Sequence, residues 1–101
     1  MACKRIVIGG LALLVSGLVA VAAAEPATLR LATGSKTGVY YPMGHGIKRV
    51  IEAFYPGKVE IEVVESTGTL ENLQLIDNDQ VDLALVQNDT AYYFSHGEAM
   101  Y

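Results

Sequence analysis

The chain has 101 residues, of which seven are Lys or Arg and eleven are Asp or Glu. Two of the basic residues, Lys4 and Arg5, lie near the start, so residues 25–101 hold five basic and eleven acidic residues and a formal charge of −6. This acidity disfavours nucleic acid and anionic membrane surfaces as partners, and the single cysteine, Cys3, excludes a disulfide framework.

The N-terminal residues have the pattern of a secretory signal peptide. Lys4 and Arg5 precede an apolar run over residues 6–21, and three alanines at residues 22–24 supply the small side chains at which a signal peptidase cuts. A retained membrane anchor is the weaker alternative, because the run contains three glycines and is shorter than the about 20 residues that a spanning helix needs. We predict a signal peptide over residues 1–24, cleavage after Ala24, and a soluble protein of the bacterial periplasm without direct membrane insertion.

The first predicted strand covers residues 28–33, where apolar and polar side chains alternate up to Gly34. Residues 34–38 form a glycine-bracketed turn at which the backbone can approach a ligand closely. Two tyrosines follow the turn, and their rings can wall a pocket. A helix with Pro42 in its first turn is predicted through residue 54, because apolar residues recur at helical spacing before a Pro-Gly pair.

The second predicted strand covers residues 59–63. Its apolar residues alternate with Glu60 and Glu62, so one face meets water or lies near an edge of the sheet. The polar cluster at residues 66–69 then opens a second helix, for which Thr69 is the expected cap. That helix is predicted to end at Asn78-Asp79.

The third predicted strand covers residues 81–86, which are apolar except for Asp82 and therefore typical of a strand covered on both faces. The polar cluster at residues 87–90 follows, and Asp89 or Thr90 is expected to cap a helix that ends at residues 96–97. The order βαβαβα predicts an α/β fold with a parallel sheet. We expect its strands in the order second, first, third.

The three polar clusters at residues 34–38, 66–69 and 87–90 are predicted to share one edge of this sheet, where open α/β folds bind ligands. Their hydroxyls, side-chain amides and helix-start N–H groups suit a small carboxylate. Each cluster also has a purely structural interpretation, since glycine turns and helix caps use the same residue types.

Other chemistries fit the sequence less well. Gly34-Ser35-Lys36-Thr37 lacks the spacing of a phosphate-binding P-loop. His45 and His96 have no cysteine or histidine at metal-ligand spacing, and neither a serine–histidine pattern nor a Gly-x-Ser-x-Gly turn is present. We therefore expect no metal, no cofactor and no enzymatic activity.

The sequence contains three notable segments in this order: LATGSKTGVYYPMG at residues 31–44, STGTLENL at residues 66–73 and DLALVQND at residues 82–89. Together they resemble the start of TAXI-family solute-binding proteins, the extracytoplasmic receptors of one branch of TRAP transporters. The sequence departs from the family pattern at Lys36-Thr37 and at Thr67 and Thr69, where small residues are frequent. These departures bear on the identity of the ligand.

The resemblance implies a type II periplasmic-binding-protein fold, in which residues 25–101 form the N-terminal part of lobe 1 and a second lobe lies beyond this chain. It implies a receptor that delivers a small carboxylate, such as glutamate, glutamine or another organic acid, to a TRAP membrane permease driven by an ion gradient. The ligand-binding positions it implies are Ser35, Thr37, Gly38, Tyr40, Thr67, Gly68, Thr69, Gln87 and Asn88. Two other classes stay open: an exported enzyme on the same fold with catalytic residues in the second lobe, and a structural or adhesive exported domain.

Overall fold

The computed structural model of the protein describes residues 24–97. The predicted signal peptide lies outside these residues except for Ala24. Within this range, no helix combines the length and the apolar character needed to cross a membrane.

Three parallel strands form the described sheet. Strand β1 (Ala27–Ala32) lies in the centre, with β2 (Val59–Val64) paired on one side and β3 (Leu83–Ala84) on the other. The register aligns Leu31 of β1 with both Val63 and Leu83. The predicted parallel sheet and its strand order are confirmed.

Helices alternate with the strands. Helix α1 (Tyr40–Phe54) connects β1 to β2, α2 (Thr69–Asp77) connects β2 to β3, and α3 (Asn88–Ser95) follows β3. The first two helices end where predicted. Gly57 and Asp79, which follow them, have φ angles of 72° and 56°, a left-handed backbone that cannot continue a right-handed helix.

The core lies where α1 packs on the sheet. Leu31 and Ile61 are almost fully buried there, and Ala32 is fully buried on the opposite face of the sheet. Gly44 of α1 is buried as well, and a Cβ atom at this position would lie 2.4 Å from Cγ2 of Thr33. The helix therefore approaches the end of β1 as closely as only glycine allows, which fixes the N-terminal half of α1 beside that strand end.

The outer edge of β2 is covered by two charged side chains of α1. Lys48 Nζ donates to Ile61 O at 2.7 Å, and Glu52 Oε1 accepts the Ile61 N–H at 3.2 Å. Lys48 and Glu52 also form an ion pair at 2.8 Å. Glu60 and Glu62 are exposed, as their alternation predicted. Charged groups thus occupy the N–H and C=O of Ile61, at the middle of the edge where a further strand could pair.

The third strand is shorter and less covered than predicted. We expected residues 81–86 to form a strand buried on both faces, but only Leu83–Ala84 pairs with β1, and Leu83 is 39% exposed. The apolar run was misleading because burial varies along it, Val81 being buried and Leu83 exposed. Asp82 extends the contact instead: its carboxylate accepts the Arg30 N–H at 2.8 Å, and its own N–H donates to Arg30 O at 3.0 Å.

Candidate ligand-binding site

A cleft of about 250 Å³ lies at the carboxyl ends of β1 and β2, beside the N-termini of α1 and α2. Residues of the first two polar clusters line it together. They are Gly34, Ser35, Gly38, Val39, Tyr40, Thr67 and Gly68. Two segments distant in sequence thus meet at the edge of the sheet where open α/β folds bind ligands.

The first loop, residues 34–38, is a tight turn. Gly38 N donates to Ser35 O at 3.0 Å, and the hydroxyl oxygens of Ser35 and Thr37 are 3.3 Å apart. A Cβ atom at Gly34 would lie 3.3 Å from Cβ of Tyr40, so the glycine lets Tyr40 pack closely against the loop. Ser35, Gly38 and Tyr40 line the cleft, whereas Thr37 does not.

The second loop, residues 66–68, is tied to the first. Ser66 N donates to Gly34 O, and Gly68 N donates to Ser66 Oγ, both at 3.1 Å. Gly68 has φ 121° and ψ −156°, a conformation essentially restricted to glycine. Thr67 donates its N–H and its hydroxyl to Glu71 Oε2, at 3.3 and 2.7 Å. The N–H groups of all three loop residues, which we expected to be free for a ligand, are therefore engaged within the protein.

Thr69 does not cap α2, so this prediction was wrong. The N-cap residue is Gly68, which makes no side-chain cap, and Thr69 is the first helical residue. Thr69 Oγ1 instead accepts the N–H of Gln87 at 3.2 Å. Thr69 is not part of the cleft lining, but it connects the second loop to the third.

The third cluster lies outside the cleft lining. Gln87 is the extended N-cap of α3, and Asn88, Asp89 and Thr90 lie within its first turn. Asn88 Oδ1 accepts the Asp89 N–H at 2.9 Å, and Asp89 Oδ1 accepts the Thr90 N–H at 2.8 Å. The prediction that Asp89 or Thr90 caps this helix is wrong, since both are already helical. Gln87 and Asn88 are exposed, and the cluster joins the site through the Gln87 N–H to Thr69.

The N-termini of α1 and α2 meet at the cleft. The Met43 N–H donates to Val39 O and the Asn72 N–H donates to Gly68 O, and these bonds begin the backbone ladder of each helix. The earlier N–H groups of each helix, which in α1 are those of Tyr40 and Tyr41 because Pro42 has none, have no acceptor within their helices and carry the positive end of the helix dipole. Lys36 of the first loop is ion-paired with Glu65 at 3.7 Å, and Glu71 lies in the first turn of α2, so these side chains add no net positive charge. The helix N-termini are therefore the feature that favours an anionic group in the cleft.

The histidines belong to aromatic pairs. His45 packs edge-on against Tyr41, with ring centroids 4.6 Å apart. We expected both tyrosines after the first loop to wall the cleft, but Tyr41 does not line it. His96 stacks on Tyr92 at 4.1 Å. Among residues 24–97, no three His, Cys, Asp or Glu side chains are grouped as a metal ion would need.

Two contributors to the site were not predicted. Val39 lines the cleft between the first loop and α1. Asn72 of α2 is fully buried and forms hydrogen bonds with Thr33, Ser66 and Leu85, which lie next to the three loops. In the sequence, Asn72 lies beside apolar residues of the predicted helix. That position could have indicated that its amide is buried and bonded inside the protein, because a buried amide needs hydrogen-bond partners.

The parallel βαβαβα unit, with polar loops and a cleft at its carboxyl edge, is consistent with part of a binding-protein lobe. Residues 31–101 match the NMT1-like family, and the chain belongs to this family. The family is periplasmic-binding-protein-like, which indicates a role in solute binding and transport in general, with a small molecule as ligand.

Proposed function

We propose that the protein is an extracytoplasmic receptor of the TAXI type, which binds a small carboxylate such as glutamate or another organic acid and delivers it to a TRAP membrane permease. The cleft carries this proposal, because two helix N-termini meet hydroxyl and glycine residues there. Membership of the NMT1-like family supports solute binding in general. The TAXI assignment rests on the three sequence segments quoted above.

The start of α2 is the proposed carboxylate site. Because the N–H groups of Ser66, Thr67 and Gly68 are engaged within the protein, the donors left at this helix end begin with Thr69. Thr69 follows Gly68 of the cleft lining, and Ser35 lines the cleft as well. Hydrogen bonds from these groups, together with the positive end of the helix dipole, stabilise a carboxylate without a lysine in direct contact.

Tyr40 is the proposed contact for the carbon skeleton of the ligand. Tyr40 is the first residue of α1 and lines the cleft. An aromatic ring offers apolar contact area, and its hydroxyl can donate a hydrogen bond. The cleft volume of about 250 Å³ is below the roughly 300–1,000 Å³ of pockets for drug-sized ligands. An amino acid or a short organic acid fits this size.

We propose ligand binding rather than catalysis at this cleft. Its lining supplies the hydroxyls of Ser35, Tyr40 and Thr67, but none of the lining residues is a histidine, a carboxylate or a lysine that could act as a general base. The hydroxyl nearest to Ser35 Oγ is that of Thr37, which is not a base. Glu71 accepts the Thr67 hydroxyl at 2.7 Å, and because the same oxygen also accepts the Thr67 N–H, we assign this carboxylate to holding the second loop rather than to general base catalysis.

Export to the periplasm is proposed from the N-terminal pattern of Lys4, Arg5, the apolar run and the alanines that end at Ala24. Mass spectrometry of the protein recovered from the producing cell tests this. A mature N-terminus at Glu25 is expected, and an intact Met1 on the exported protein would contradict it.

Titration calorimetry on the full-length protein, with amino acids, organic acids and neutral sugars, tests the ligand class. We expect saturable heat with a carboxylate and none with a sugar. Tyr40→Ala should weaken binding, whereas Tyr55→Ala should not, because Tyr55 is an exposed tyrosine at the opposite end of α1. Binding of sugars or cations alone would refute the carboxylate proposal, and equal effects of the two substitutions would refute the assignment of this cleft.

A further inference from the structure

Asn72 of α2 uses its whole side-chain amide in hydrogen bonds. Nδ2 donates to Thr33 O at 2.6 Å and to Leu85 O at 2.8 Å, and Oδ1 accepts the Ser66 hydroxyl at 2.5 Å. The residue is 0% exposed. Both amide hydrogens are engaged, so the orientation of the amide is determined by its partners.

The three partners lie where the three strands lead into the three loops. Thr33 follows β1 and precedes the first loop, Ser66 begins the second loop, and Leu85 follows β3 two residues before Gln87. One buried side chain is therefore bonded to every segment that carries a polar cluster.

A chain of hydrogen bonds extends from Asn72 to the surface of the cleft. Ser66 Oγ donates to Asn72 and accepts the N–H of Gly68 at 3.1 Å. Gly68 lines the cleft in its glycine-only conformation, and its O accepts the N–H of Asn72, which is the first backbone hydrogen bond of α2. The hydrogen bonds of the Asn72 amide therefore help to fix the backbone of Gly68, which would face a ligand.

We infer that Asn72 is a positioning residue, which holds the three loops in one fixed arrangement so that a ligand meets a preformed cleft. This inference rests on the proposed ligand site. Fixing the loops before binding lowers the free-energy cost of ordering them when the ligand arrives. An aspartate at this position has the same shape but no N–H to donate, so Thr33 O and Leu85 O would lose their donors and face a carboxylate.

The test compares Asn72→Asp and Ser66→Ala with Gln74→Ala, which removes an exposed amide from the same helix. Hydrogen exchange is followed by NMR at the N–H groups of Ser66, Gly68 and Gln87, each of which has a hydrogen-bond acceptor in the loops. The N–H of Leu31, in the core, is the internal reference, because general destabilisation would accelerate all four together.

With Asn72→Asp, exchange at all three loop positions should accelerate roughly tenfold or more relative to Leu31, as expected for the loss of a buried hydrogen bond. Ser66→Ala should accelerate Gly68 alone, and Gln74→Ala should change none. Ligand affinity, measured by calorimetry with the carboxylate that binds the wild type, should fall roughly tenfold with Asn72→Asp and remain unchanged with Gln74→Ala.

Two results would overturn the inference. One is that the exchange rates of the loop N–H groups rise only as much as that of Leu31, and the other is that a folded Asn72→Asp variant binds as tightly as the wild type. If Asn72→Asp does not fold, the affinity of Ser66→Ala, which removes the partner of Asn72 Oδ1, decides: weaker binding supports the inference and unchanged affinity overturns it. Exchange at Gly68 does not decide in this variant, because Gly68 loses its own acceptor. A wild type that binds no carboxylate refutes the proposed function, while the exchange measurements still decide whether Asn72 holds the loops.

Discussion

Gly44→Ala should destabilise the protein through a clash that α1 cannot avoid. The added Cβ atom would lie 2.4 Å from Thr33 Cγ2 and 3.4 Å from Val63 Cγ1. Thr33 cannot rotate away without a loss, because it is fully buried and its hydroxyl donates to Val64 O at 2.8 Å. The helix must therefore move away from the sheet, and overpacking of this kind costs about 1–3 kcal/mol.

Gly46→Ala is the matched control in the same helix, because a Cβ atom there meets nothing within 4 Å. Both substitutions gain about 0.5–1 kcal/mol of helix propensity, so the difference between the two variants isolates the strain at Gly44. Urea denaturation gives the free energy of unfolding of each variant. We expect Gly46→Ala to be the more stable by about 1–3 kcal/mol. Equal stability, or a more stable Gly44→Ala variant, would refute the close packing of α1 on Thr33.

Three further predictions concern the side chains of Glu52 and Thr69 and the backbone conformation of Gly68. The hydrogen bond from Lys48, followed by that from the Ile61 N–H, lowers the pKa of Glu52 below its ordinary value of 4.5. The stability this carboxylate contributes is therefore present above that value and lost as the pH falls through the lower pKa of the folded state. Thermal melts should show the advantage of wild type over Glu52→Gln shrinking below about pH 4.5, and a constant difference down to pH 2 would contradict this. Gly68→Ala should cost about 1–3 kcal/mol through backbone strain alone, because a Cβ atom there meets nothing within 4 Å; an unchanged urea midpoint would show that the loop does not need this conformation. Thr69→Val should leave the Gln87 N–H without its acceptor, lower stability by about 0.5–1.5 kcal/mol and accelerate hydrogen exchange at Gln87, and unchanged exchange at Gln87 would exclude the contact.

The order of the strands in the sheet could be predicted because the strands differ in how apolar and charged residues alternate along them. Glu60 and Glu62 alternate with apolar residues and mark β2 as the water-facing edge strand, and the structure confirms this position. The length of β3 could not be predicted in the same way. Apolar residues at successive positions do not distinguish a strand buried on both faces from a short segment with an exposed Leu83.

The location of the polar clusters could also be predicted, since the carboxyl ends of parallel strands meet at one edge. The partners of individual side chains could not. Thr69 resembles a helix cap in the sequence, but its hydroxyl bonds to Gln87, 18 residues away. Asn72 bonds to Thr33, 39 residues away. Local sequence rules describe neighbours along the chain, whereas these contacts depend on how the strands are arranged.

The measurement that tests the central claim most directly is an NMR titration of the full-length, isotope-labelled protein with L-glutamate, a short organic acid and a neutral sugar. The cleft between the first two loops should produce saturable shifts at the N–H groups of Ser35, Gly38 and Gly68, which line it, and at that of the adjacent Thr69 with a carboxylate, and none with the sugar. Saturable shifts confined to residues outside these loops, or shifts with the sugar alone, would contradict the account of this cleft as a carboxylate site.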